Sequence, residues 1–187
     1  MSTYDPNMTM FDARRQYFIA ANFGEEGNYQ DKWVRVDVGP IPFVFPNTDS
    51  RRYAARFHDL HHLLTGYPTT MRGELKISGW EIGAGCGDAT FAWLINLNGL
   101  AAGMLAMPID TAQAFFRGRH SRSLYREDFD ALLRSTVGEL RARTGVDDPP
   151  AKPTAADWAA LIAYTTLAMV MSFAPFVLPV WLLLWWF

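Results

Sequence analysis

Residues 51–80, RRYAARFHDLHHLLTGYPTTMRGELKISGW, read as two helices meeting at a turn. Thr48, Asp49 or Ser50 can cap a helix that begins at Arg51 and Arg52 and runs to about Thr65. Gly66-Tyr67-Pro68 stops it, and the helical pattern resumes near Arg72 and continues through Trp80. Beyond it, Gly83, Gly85 and Gly87 punctuate the chain. They lack the Lys-Ser/Thr of a phosphate loop and the strand context of a dinucleotide site, so they read as a break between helices. Asp88–Met107 is a mostly apolar helix, Pro108 opens a short one through Phe116, and a basic turn follows at 117–122. A last amphipathic helix places Phe129, Leu132, Leu133, Val137 and Leu140 on one face. Upstream, residues 8–22 carry Met8, Phe11, Phe18 and Ala21 at helical spacing, with Asn22, Gly24 and Gly27 ending the run. From Trp33 the period changes to two: Val34, Val36 and Val38 alternate with Arg35 and Asp37, then Gly39-Pro40 precedes Ile41, Phe43, Val44 and Phe45. That is a hairpin or extended arm whose prolines confine its second limb to an edge. The fold expected is mainly α, with this small arm near the N-terminus.

The 187 residues hold 17 Lys and Arg against 19 Asp and Glu, a net charge of −2, and 50% are hydrophobic. So near-neutral a chain gives no electrostatic reason to expect nucleic acid, which needs clustered excess cations. The charges are unevenly placed, because none falls among the thirty residues from Trp158 to Phe187. A bilayer core takes about 20 apolar residues, so the tail is expected to form one kinked transmembrane helix, with Trp181, Trp185 and Trp186 in the far headgroup layer. Residues 1–145 form the domain, 146–157 a Pro-rich linker and 158–187 the anchor. Arg134, Arg141, Arg143 and Lys152 on the near side argue for a cytoplasmic domain. The polar N-terminus is unlike a signal peptide, and lone Cys86 cannot make an internal disulfide, both in keeping with a reducing compartment. Arg117, Arg119, His120, Arg122 and Arg126 form the one basic cluster, a solvated face or a contact for anionic lipid headgroups.

Three of the four histidines fall between 58 and 62, beside Asp59. Residues four apart share a helix face, so His58 and His62 can present two imidazole nitrogens to one ion. Asp59 lies at the edge of that face, and the turn at 66–68 returns Glu74 over the pair. Two His and one or two carboxylates suit Zn, Fe, Mn or Mg and leave positions open. A His-rich helix end that only makes hydrogen bonds is the plain alternative.

His58-Asp59-x-x-His62, eleven residues, then Glu74 resembles the signature of the Coq four family of ubiquinone (coenzyme Q) biosynthesis proteins. The surrounding FHDLHHLLTGYPTTMRGE and the later LYREDFDALLRSTVGELRARTGV are similar to that family too, so the resemblance covers about residues 51–145. It resembles a short bacterial-type member carrying an added C-terminal transmembrane anchor. The resemblance implies a helical, membrane-associated protein that binds a divalent ion through His58, Asp59, His62 and Glu74, with His61 a neighbour. It also implies action on a polyprenylated quinone precursor, as a metal-dependent oxidative decarboxylase or lyase removing the ring C1 carboxyl, and partnership with other quinone-biosynthesis proteins. The prenyl tail would need an apolar groove, and Trp80, Trp93 and Met104 either line one or pack in the core. A non-catalytic scaffold or accessory subunit of a quinone-using membrane complex is the alternative function. A His-box di-iron hydroxylase is disfavoured by four His and one span.

Overall fold

A computed structural model describes residues 4–186 apart from 22, 25, 26, 28, 39, 40 and 150; the side chains of 36–38, 41–43, 45 and 176–186 lie outside the description. Asn22, the Gly39-Pro40 turn and the three terminal indoles therefore fall outside it. The described residues form eight helices and one hairpin: α1 Met10–Ala20, β1 Trp33–Val38, β2 Ile41–Pro46, α2 Asp49–Thr65, α3 Met71–Ala84, α4 Thr90–Ala106, α5 Pro108–Arg119, α6 Phe129–Arg134, α7 Val137–Thr144 and α8 Ala155–Trp186. The two strands pair antiparallel with Val34 opposite Phe45.

Local chemistry sets the helix ends. The hydroxyls of Thr9, Thr48 and Thr70 accept the amides of Asp12, Arg51 and Gly73, which starts α1, α2 and α3. Gly66 closes α2 in the left-handed conformation at φ 73°, which glycine adopts without strain. The single helix expected over 129–140 is divided. Thr136 forms a capping box with Glu139 and starts α7. The backbone of 135–137 turns instead to the N-terminal segment, where the Met10 amide donates to Ser135 (2.8 Å) and the Val137 amide to Met8 (2.9 Å).

The bundle is organised around α3. Gly83 lies so close to α5 that a Cβ there would strike the Phe115 carbonyl, and one at Gly118 would strike that of Trp80. Gly79 faces Thr111 and Gly83 faces Phe115, so α3 and α5 run parallel. On the other side Gly99 meets Ser78 and Asn96 meets Glu81, so α4 runs antiparallel to α3. Trp80, Phe18, Phe57 and Phe115 fill the core. Trp80 is fully buried, and Trp93 and Met104 pack half-buried against the core cluster.

The segment between domain and tail is tied down. Asp147 receives both guanidinium branches of Arg141, and Val146 is buried and accepts from Arg117. Arg117 also donates to the Thr65 carbonyl at 3.0 Å, so it braces the end of α2 and leaves the basic cluster. Thr154 and Asp157 cap α8 reciprocally, and Arg119 and His120 reach Asp157 at 3.2 and 3.4 Å. Helix α8 continues unbroken through Pro175 and Pro179. Its stretch Ala155–Pro175, of mean hydropathy 1.4, is long and apolar enough to cross a membrane. Part of it also packs on the bundle: Trp158 on Phe116 (4.8 Å between ring centroids), Tyr164 on Trp93 (6.0 Å), and the Ser172 hydroxyl on Asn98 (2.9 Å).

Candidate metal centre

His58 and His62 stand one turn apart on α2, and Glu74 lies in the first turn of α3. They meet because of the turn at 66–70. Gly73 is buried against the Pro68 carbonyl, where any Cβ would collide, so glycine alone lets the first turn of α3 close under the turn that precedes it. One ligand atom from each of His58, His62 and Glu74 lies within 4.8 Å of the others. The two Nε2 atoms are 3.0 Å apart, and each is 3.3 Å from an oxygen of Glu74. Ligands bound at about 2.1 Å stand about 3.0–3.4 Å from each other, so the spacing fits a shared ion.

The far nitrogens explain why both Nε2 atoms face inward. His62 Nδ1 lies 2.8 Å from the Tyr67 carbonyl, which can only accept, so the proton sits on Nδ1. His58 Nδ1 lies 3.1 Å from Glu81 Oε1, and the same reasoning applies. Both Nε2 lone pairs then converge on one point beside a carboxylate. Two lone pairs 3.0 Å apart repel unless a cation or a proton stands between them. Histidine ligands are held this way in metal sites generally, the second nitrogen fixed by a carboxylate or carbonyl.

Glu81 was not singled out from the sequence, yet it organises the group. It is fully buried and accepts from His58, from His61 Nδ1 at 2.6 Å, from the Tyr125 hydroxyl at 2.9 Å and from Asn96. Its signal was present: it lies seven residues after Glu74, on the same face of α3, and is the one charge between Ile77 and Gly87. His61 is turned away from the ligand group. Its Nε2 accepts the Leu124 amide at 2.9 Å, which leaves Nδ1–H for Glu81. Asp59 faces the tyrosines, accepting the hydroxyls of Tyr29 and, at 3.4 Å, Tyr17, and stands beside the three converging residues without joining them.

Burial opposes charge on His58, but Glu81 and Glu74 outweigh it and raise its pKa well above the ordinary histidine range. Burial would likewise raise Glu74 and Glu81; the histidine contacts prevail and hold both well below the usual carboxylate range. Burial raises Asp59, partly offset by the Tyr29 hydroxyl. The surrounding carboxylates thus favour positive charge at this point, which a proton on His58 or a bound cation would supply. The Glu74 side chain is 41% exposed and that of His62 1%, so the centre opens beside Glu74. Tyr17 stacks over His62 at 6.0 Å and closes that flank.

Over 103 aligned residues the chain is 28% identical to "Ubiquinone biosynthesis protein coq4, mitochondrial" of Aspergillus niger, a match covering 50% of this chain and 33% of that protein. The chain thus spans about a third of the length of the curated relative it matches. No family model and no solved structure matches it.

Proposed function

We propose that the chain is a membrane-seated, metal-binding protein of ubiquinone biosynthesis that acts on the polyprenylated ring precursor. The observation that carries this is the convergence of two tautomer-fixed Nε2 atoms and the Glu74 carboxylate on one point, in a chain similar to a ubiquinone biosynthesis protein. The donor set suits Zn, Fe, Mn or Mg, with Asp59 adjacent and able to join if Tyr17 and Tyr29 release it. A divalent ion there would supply Lewis acidity toward the oxygens of a hydroxybenzoate ring. The protein's own part is positional. Glu81 and the Tyr67 carbonyl hold the two imidazoles, buried His62 keeps water from one side, and the ring enters by the open edge at Glu74. The reaction this suits is loss of the ring carboxyl as carbon dioxide with a hydroxyl from water taking its place, the two protons and two electrons released passing to a two-electron acceptor from outside the chain. The apolar α8 keeps the centre beside the bilayer in which a prenylated substrate dissolves.

The test is His58→Ala or Glu74→Ala in cells lacking the native copy, followed by analysis of their quinones. Accumulation of a carboxylated precursor, with the variant still abundant, supports the reading. Unchanged quinone would remove it and favour a non-catalytic accessory role.

A further inference from the structure

We infer that the shared outer face of α4 and α8 is the membrane-binding surface, and that α8 stays on α4 within one leaflet rather than crossing the bilayer. The inference rests on the proposed seating of this protein at a membrane. It starts from direction: Trp93 meets Tyr164 and Asn98 meets Ser172, so α8 runs parallel to α4 and level with it. The stretch of α8 long and apolar enough to cross, Ala155–Pro175, therefore lies alongside α4 and the rest of the bundle, not clear of it.

If this stretch crossed while packed on α4, everything level with it would be immersed. That includes Arg119 and His120, which pair with Asp157 at the start of α8, and buried Glu81 beneath Asn96 of α4. Charges are least tolerable at that depth. The flank of α4 and α8 carries no such penalty. Helix α4 has no charged residue, and α8 has Asp157 alone, engaged at its start by Arg119 and His120. Large apolar side chains stand exposed along both: Leu94, Ile95 and Leu105 on α4, Ile162, Val170 and Phe173 on α8, with Ile109 at the corner 73% exposed. An uncharged apolar face of this length, continuous with a helix apolar enough for a bilayer, fits acyl chains. It also puts the metal centre one helix layer from the lipid, since Asn96 on the inner side of α4 holds Glu81.

The full chain, reconstituted into vesicles of phosphatidylcholine and phosphatidylglycerol, tests this with one environment-sensitive label at a time. Cys86 is buried and stays in place. Labels go on Ile95→Cys, Ile109→Cys, Ile162→Cys and Trp186→Cys, with Ile19→Cys on exposed α1 as the control. Labels at 95, 109 and 162 should be quenched by doxyl lipid and shielded from iodide, and the label at 19 should show the reverse. The label at 186 should be out of reach of dithionite trapped in the lumen. Adding Ile95→Glu and Ile162→Glu together should lower vesicle partitioning by about tenfold or more. Lipid quenching at 162 and 186 with iodide access at 95 and 109, or lumenal access at 186, would mean a detached, crossing α8 and would overturn the inference. Shielding of 95 from both quenchers would overturn it in favour of a second copy covering the face. Absence of lipid quenching at every site would end the membrane seating itself, a separate failure from any result on quinones or metal.

Discussion

His58 has both ring nitrogens engaged, one by Glu81 and one by the ligand group, so its usefulness to a metal depends on a residue that never touches the ion. Glu81→Gln keeps the shape but can offer an N–H to His58 Nδ1, which favours the wrong tautomer. Metal affinity should fall by about 10–100-fold, measured by titration, while circular dichroism stays helical. Asp59→Asn tests the ligand set from the other side. With Asp59 held by Tyr17 and Tyr29, the variant should keep its metal stoichiometry, and Glu74→Gln should lose it, both by elemental analysis. The His-Asp-x-x-His spacing was legible because α2 is a regular helix and places residues four apart on one face. The partners of Asp59 were not, since Tyr17 and Tyr29 arrive from positions 42 and 30 residues away. Glu81 escaped for the same reason: a lone acid in an apolar helix has meaning only once His61, Asn96 and Tyr125 surround it.

Helices α2 and α3 were readable within a few residues because caps and glycines mark their ends, and α4 because Gly85 and Gly87 precede it and Pro108 follows it. The break between α6 and α7 was not, because apolar residues keep their spacing across it and the backbone partners that divide it, Met8 and Met10, are distant in sequence. What the period cannot carry is how tightly elements meet. Gly83 packs directly on the Phe115 carbonyl, so Gly83→Ala should push α5 off α3. A loss of about 1–3 kcal/mol is expected in denaturant unfolding, despite the better helix propensity of alanine. The start of α8 offers a second element-level test. Asp157 is held down to about 2, chiefly by the Thr154 amide and hydroxyl. A depressed carboxylate contributes stability above its unfolded pKa of about 3.8, and loses it as pH falls through about 2. Asp157→Ala should remove this contribution and lower stability at neutral pH by about 1 kcal/mol, read in thermal unfolding.

At the scale of the whole molecule, the proposed metal ion would compete with a proton for the same point, and their effects on stability would run in opposite directions with pH. The ion-free chain gains from charged His58, whose folded pKa is raised. That gain is fully present below the unfolded value of 6.5 and is lost as pH rises through the higher folded value. Metal binding requires both imidazoles neutral at Nε2, so it strengthens as pH rises. An ion at about 100 times its dissociation constant adds about 2.7 kcal/mol, some 6–10 °C in Tm for a chain of this size. The Tm difference between metal-loaded and chelator-treated protein should therefore widen from pH 6 to pH 8. In His62→Ala it should be small at both. A difference that narrows with rising pH, or that survives in His62→Ala, would place the ion elsewhere than between α2 and α3.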